Sequence, residues 1–479
     1  MAVYQPRGLA NELFRLIAEE AGPQVITQAL PASKFIYNMF MPFVYESPPP
    51  SALKTLALLD KERKPLRQSH PAAFVKRLSI SGKGWNADEL KTAIQHALQN
   101  IELHNPDCRL QSFSVACANY ALPIVLPCAA NSLLSLKELE LYISYPTLCT
   151  RACVSLVTSL FAPGLEKVTL ALPRAFSLPR FATIATLLKS LCDIASQSLT
   201  QLEFHVPSLQ GNSDLHSKLP ALLSDVTFVF PHLKKLVYIA EGHYFSLVPF
   251  LQRHPLITEL RYFVNCPPDI SSLLEERHLL PNLSRLHTYI HDALCFTEIE
   301  HTAKSVPHQL VALQVKLSKF SNSVDPGLNK LQKHLMPIET LRYLCIDDPL
   351  LFGGFSYQTA VAFIQACPRL IEFKIFGKAE WFLHKSQEIT GILTTCINSL
   401  HELCFLSIRT EWYIYDVAER FERAIQAAKP TFIFHSNRRV HIQAVRTFDE
   451  GEPHELDSAA GTRASSLNHG VLDYDLCIF

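Results

Sequence analysis

Residues 198–206 read SLTQLEFHV, with Leu199, Leu202 and Phe204 set three and then two positions apart. The closing step of two is the alternation of an extended strand, in which every second side chain lies on one face. The same rhythm returns as SLKELELYI at 135–143, NLSRLHTYI at 282–290, RLIEFKIFG at 369–377 and SLHELCFLS at 399–407. Followed along the chain it gives twelve units, 24 to 35 residues apart, whose first apolar positions are Val75, Leu110, Leu136, Leu165, Leu199, Leu233, Ile257, Leu283, Leu310, Leu341, Leu370 and Leu400. One such string is commonplace in a leucine-rich chain, whereas twelve in series are a repeat.

Between the strands lie segments with helical apolar spacing, such as Tyr244–Arg253 and Tyr357–Ala366, each followed by a proline, Pro255 or Pro368. The unit is therefore helix, proline-marked turn and short strand. Alone it cannot bury its apolar face; stacked neighbours merge the rungs into one core beneath outer helices. The expected fold class is α/β, a solenoid with a parallel sheet.

Composition narrows the function. Of 479 residues, 48% are hydrophobic and 18% charged, ample for a continuous core. Forty-four basic residues balance forty-four acidic ones, so no summed field draws in nucleic acid or an anionic membrane surface, and neither is expected as a partner. Only 15 glycines stand against 31 prolines, which argues against glycine-rich phosphate cradles. GxGxxG, GxxxxGK[ST], GxSxG and HExxH are absent, and the chain reads as a non-enzyme.

The first thirty residues lack the basic stretch and unbroken apolar core of a secretory signal. The most apolar run, Tyr120–Leu134, is broken by Pro123, Pro127 and Asn131 and falls short of the ~18 residues a membrane span needs. Thirteen scattered cysteines suit free thiols in a reducing compartment. His104, Cys108, Cys117 and Cys128 offer no tight CxxC spacing, so no metal and no cofactor are expected. A soluble protein of the cytoplasm and/or nucleus follows as the expectation.

The LxxLxL string at this period, with a helix between strands, resembles an irregular leucine-rich repeat array of the kind found in fungal and other eukaryotic proteins. The resemblance covers about residues 74–435, closed by a cap in which Val417, Phe421 and Ile425 share a helix face before a final strand. The asparagine that usually follows the strand is missing in most units. The resemblance implies a horseshoe with its parallel sheet on the concave side and its helices outside.

On such a strand the positions between and just after the rungs face the hollow, which nominates Tyr142, His205, Tyr343 and Phe376 singly. It also nominates Arg261, Phe263, Arg285, His287 and Tyr289 together on two adjacent strands. Aromatic and arginine side chains are the usual anchors of protein interfaces, so this second group is the candidate substrate-binding patch.

Residues 8–22, GLANELFRLIAEEAG, read as an amphipathic helix with Leu9, Leu13, Leu16 and Ile17 on one side, stopped by Gly22 and Pro23. A second apolar stretch runs to the SPPPS breaker at 47–51. The opening Leu9-Ala10-Asn11-Glu12-Leu13, the middle Ser33-Lys34-Phe35 and the close Pro42-Phe43-Val44-Tyr45 resemble an F-box. Ala10 stands where that family has proline, and the middle segment is short.

The resemblance implies that residues 1–47 form a small all-helical adaptor-docking module anchored by Leu9, Leu13, Ile17, Pro42 and Tyr45. The implied partners are a Skp-type adaptor, a cullin scaffold and an unidentified protein substrate. The implied function is that of a non-catalytic substrate-recognition subunit of an E3 ubiquitin ligase. Residues 48–73 then read as a semi-rigid linker, and 436–479 as a largely flexible tail whose VLDYDLCIF end either docks back or binds a partner. The alternative is a leucine-rich repeat scaffold or inhibitor unconnected with ubiquitin ligation, with residues 8–47 capping the open end of the core.

Overall fold

The computed structural model describes residues 16–17, 20, 26, 34–58, 70–82, 84–105, 110–117, 136–143, 155, 157–171, 178–206, 223, 225–240, 247–264, 280–289, 293, 310–316, 331–333, 335, 338–347, 357–376, 386–410, 417–428, 430, 439–446 and 471–477. These fall into two compact units, one up to Phe204 and one from His205 onward.

The first unit holds helices α1 (Lys34–Glu46), α2 (Leu53–Leu56), α3 (Ala87–His104) and α4 (Leu178–Ala195). Its strands β1 (Arg77–Ser81), β2 (Ser112–Cys117), β3 (Glu138–Ile143) and β4 (Lys167–Ala171) pair in parallel and in chain order, followed by β5 (Gln201–Val206). Cross-strand register aligns Leu78, Phe113, Leu139 and Val168 as one buried rung, and Ile80, Val115, Leu141 and Leu170 as the next.

The second unit holds β6 (Lys235–Ala240), β7 (Glu259–Val264), β8 (Arg285–Tyr289), β9 (Ala312–Lys316), β10 (Tyr343–Asp347), β11 (Glu372–Phe376), β12 (Phe405–Thr410) and β13 (Arg439–Arg446), again parallel in chain order. Helices α5 (Val248–Gln252), α6 (Tyr357–Ala366), α7 (Ser386–Ser399) and α8 (Val417–Ala428) lie between them in sequence. Here the buried rung runs Leu236, Leu260, Leu286, Leu313, Leu344, Phe373 and Leu406. Thr288 occupies a position of the following rung with no exposed surface, and its Oγ1 donates to the Tyr262 carbonyl at 2.6 Å. That bond removes the cost of burying a bare hydroxyl.

Strands β2 to β5 and β7 to β12 each begin where two successive backbone N–H groups converge on one carbonyl of the preceding repeat. Gln111 and Ser112 donate to Lys76 O, Thr258 and Glu259 to Lys234 O, and Ser284 and Arg285 to Thr258 O. Hydroxyls reinforce the step, with Ser198 Oγ donating to Leu165 O at 2.7 Å and Thr340 Oγ1 to Leu310 O at 2.8 Å. Backbone groups at the strand starts thus tie repeat to repeat.

His254, 1% exposed, is a second tie. Its Nε2 accepts from Phe230 N at 2.9 Å while Nδ1 lies 2.6 Å from Phe250 O, which fixes the proton on Nδ1 and joins the end of α5 to the turn before β6. Burial, with Arg253 adding, pushes the imidazole down to about 4 against the opposing pull of the Phe250 carbonyl.

Three expectations from the sequence are corrected. The twelfth unit is offset by three residues: Phe405 pairs with Glu372, so the rungs are Leu406 and Ile408, and Phe405 lies half-buried on the opposite face. The string Leu403-x-x-Leu406-x-Ile408 fits the repeat as well as the one beginning at Leu400, and only cross-strand register separates them.

The described residues of the supposed linker, 48–58 and 70–73, pack, and 59–69 lie outside the described residues. Leu53 is 2% exposed and Leu56 fully buried, and Asn100 Nδ2 of α3 donates to the Leu56 and Leu58 carbonyls at 2.8 and 3.0 Å. His70 Nε2 lies 3.1 Å from Leu58 O, and Lys76 N donates to Glu46 O at 3.0 Å, so α1 ends against the start of β1.

Finally, the tail read as flexible supplies β13 and the antiparallel β14 (Val471–Cys477), which pairs Val445 with Val471 through to Arg439 with Cys477. Residues 471–477 of the VLDYDLCIF end therefore dock back, and 447–470 lie outside the described residues. The alternation Val440, Ile442, Ala444 is the period-two signal that marks β13.

Candidate functional site

In β7 and β8 the rungs Leu260, Tyr262, Leu286 and Thr288 are buried, so Glu259, Arg261 and Phe263 share the opposite face with Arg285, His287 and Tyr289. Register sets Arg261 beside His287, Glu259 beside Arg285, and Tyr289 beside Lys316 of β9. The five nominated residues are thus brought together, and Lys316 joins them.

Their arrangement differs from a row of exposed anchors. Phe263 is only 5% exposed although it lies on the outer face. His287 meets it edge-on at 4.5 Å between centroids and Tyr289 at 5.1 Å, while Arg261 Cζ and Lys316 Nζ lie 5.5 and 5.1 Å from its centroid. Phe263 is therefore a floor, and what a partner meets is Arg261 with Lys316 held against the negative face of a ring. Lys316 escaped the sequence reading because it is the last residue of β9, a repeat away from the nominated pair. A rule extending the patch across the register would have found it.

Glu259 lies 3.4 Å from Arg285 and 3.8 Å from Lys235, an exposed network that consumes its charge. His287 is pushed down to about 3 by burial, then by the charges of Arg261 and Lys316, and is neutral at physiological pH. Its buried Nε2 has no hydrogen-bond partner among the described residues.

The remaining nominees stand apart. Tyr142 is half-buried in β3 and held up at about 12 by burial, with Glu140 and Glu203 adding. Tyr343 is 40% exposed at the start of β10. His205 is half-buried in β5, and the Phe376 side chain lies outside the described residues.

At the N-terminus Leu9 and Leu13 lie outside the described residues. Ile17 is 43% exposed and its neighbour Leu16 54%. Pro42 sits inside α1, half-buried, one turn before Tyr45. Tyr45, Phe40 and Phe43 pack against the buried pair Ile26 and Val44. Tyr45 therefore contributes to the module's own core as well as to its surface.

Among the described residues no helix is long and apolar enough to cross a membrane. A scan of protein-family models and a search of curated proteins returned no match to this chain.

Proposed function

We propose that the chain is the substrate-recognition subunit of a Skp/cullin/F-box ubiquitin ligase, a non-catalytic intracellular receptor working in the cytoplasm or nucleus. On this reading the two strand ladders are a leucine-rich repeat solenoid that holds a target protein on its strand face. The N-terminal helical module docks a Skp-type adaptor through Leu9, Leu13, Ile17, Pro42 and Tyr45. The observation that carries the reading is the exposed apolar pair Leu16 and Ile17 on a helical segment ahead of a repeat ladder whose outer face gathers arginine, lysine and aromatic side chains. Large apolar side chains left in water in one unit and a cation–aromatic cluster in the other suit a chain that contacts two proteins. Its contribution to catalysis is placement, since holding a target beside a reactive centre turns a bimolecular encounter into a local one.

A second reading is favoured by the contact of α1 with β1: Lys76 N donates to Glu46 O, and α1 closes the ladder as a cap would. In that case the chain is a binding scaffold with no ligase attached. Copurification separates the two. Tagged full-length chain should recover a Skp-type adaptor and a cullin, and Ile17→Asp or Leu13→Asp should lose both while melting at an unchanged temperature. Recovery of neither by the unaltered chain overturns the receptor reading. Point changes are preferable to truncation at Ser51, which would remove the carbonyl that Lys76 uses.

A further inference from the structure

We infer that the far edge of β13 is a strand-accepting site, filled here by β14 of the same chain, and that an extended segment of the target with alternating apolar and acidic residues takes that place. The inference rests on the receptor reading for its biological setting and on the pairing of β12, β13 and β14 for its chemistry.

From β6 to β13 the described pairings are parallel, each repeat setting its strand beside the one before. β14 breaks that order: it runs antiparallel along β13, from Val445 with Val471 to Arg439 with Cys477, and ends the sheet. Antiparallel neighbours whose ends meet in this way are ordinarily joined by about two to five residues. Here the connection is 447–470, 24 residues long. A short turn fixes the register of a hairpin, whereas over this separation the strand's own residues must select it. β14 therefore stands to β13 as a peptide stands to a sheet edge.

Those residues carry a pattern. In register, Leu472, Tyr474 and Leu476 fall opposite Ala444, Ile442 and Val440; Ile442 and Ala444 are in turn opposite the buried rungs Leu406 and Ile408, and Val440 is itself buried. Three apolar positions of β14 thus continue the rows of the ladder. The residues between them, Asp473 and Asp475, fall opposite Gln443 and His441, two side chains able to donate a hydrogen bond to a carboxylate. In strand addition the main chain supplies affinity and alternate side chains supply selectivity. The main-chain groups of β13 accept any extended segment, so the apolar–acidic alternation is what narrows the choice. One edge holds one strand, so the target segment and β14 exclude each other, and β14 acts as an internal competitor.

The test is fluorescence anisotropy with full-length chain and a labelled heptapeptide, SIEFEIS, which keeps the alternation of β14 with other residues. The control is SIFIEES, of the same composition with its apolar residues contiguous. The alternating peptide should bind saturably and about tenfold or more tighter than the control. Successive residues of a strand turn their N–H groups to opposite edges, so Asp473→Pro with Tyr474→Pro removes at least one donor to β13. That double variant should bind the alternating peptide about tenfold or more tighter than the unaltered chain. Hydrogen exchange on the unaltered chain at saturating peptide should release the amides of Val471–Cys477 while those of Arg439–Arg446 stay protected. Should the proline pair lower the melting temperature of the chain, this exchange measurement carries the comparison.

Equal behaviour of the two peptides, including no binding of either, overturns the inference. So does continued protection of Val471–Cys477 at peptide saturation, or a well-folded proline variant that gains nothing. A concentration-dependent dimer of the unaltered chain that the proline pair abolishes would name a second copy as the occupant, and would likewise overturn it. Adaptor capture is scored on the same samples. Peptide binding without adaptor capture by the unaltered chain would sink the receptor reading and leave this inference standing, whereas adaptor capture without peptide binding would do the reverse.

Discussion

Leu139 of β3 and Leu286 of β8 hold equivalent rung positions, both buried, yet the faces above them carry different chemistry. Over β3 to β5, Lys167 Nζ lies 2.6 Å from Glu140 with both side chains about a quarter exposed, and Thr169 Oγ1 donates to Glu203 at 3.4 Å. Lys167 ends above its ordinary value: burial, the largest influence, lowers it, and the hydrogen bond and charge of Glu140, with Glu203 and Glu138, more than offset that. Over β7 to β9 the central cations rest on a ring instead. One face answers its charges with an ion pair and a hydrogen bond, and the other sets two of its cations against an aromatic ring. The rungs decide the fold, and the positions between them decide what the fold can hold.

The largest test puts a carboxylate into each rung. Leu139→Asp and Leu286→Asp should each cost about 4 kcal/mol or more, since neither site offers a partner for a buried charge. Limited proteolysis should show cleavage concentrated in the unit that carries the change. Uniform cleavage after both would dissolve the distinction between the units.

Acid should separate them next. The folded pKa of His254, about 4, lies below the ordinary 6.5, so the unfolded chain binds the proton more readily. Its contribution is fully present above pH 6.5, falls as pH drops below that value, and levels off near 4. At pH 5 the loss is about 2 kcal/mol. His287 adds a smaller share because it is partly exposed. Urea midpoints at pH 7.5 and 5, read by hydrogen exchange in each unit, should fall more for the second unit, and His254→Gln should flatten the difference.

Lys167→Met tests the internally answered face. Removing the cation leaves Glu140, Glu138 and Glu203 facing one another, and chemical denaturation should report a loss of about 1 kcal/mol after allowance for solvent screening. The smallest effect belongs to Glu259→Gln. Its contacts to Arg285 and Lys235 are exposed, so stability by chemical denaturation should move by no more than about 0.5 kcal/mol.

Much of the ladder was legible because burial imposes a period that a chain cannot hide. Eleven units run in the register read from the sequence, from Val75, Leu78 and Ile80 to Leu370, Phe373 and Ile375. The twelfth was misplaced because Leu400, Leu403 and Leu406 satisfy overlapping patterns and all three are buried. The last two strands were missed because β13 alternates without the LxxL spacing, and β14 gains its place only by pairing with β13. The grouping of Arg261, Phe263, Arg285, His287 and Tyr289 was readable by counting positions. That Phe263 lies beneath its neighbours was not, since its cover comes from three different strands.

The sequence by itself determined which residues are buried as rungs in eleven units and that helices such as Tyr357–Ala366 lie between strands, because the spacing of apolar side chains is a local property fixed by backbone geometry. Tertiary structure alone decided which cations share a ring, that His254 ties α5 to the turn before β6, and that residues 53–56 pack instead of spacing. Each of these depends on contacts between segments some 24 or more residues apart, and no local period encodes the lateral register that brings them together.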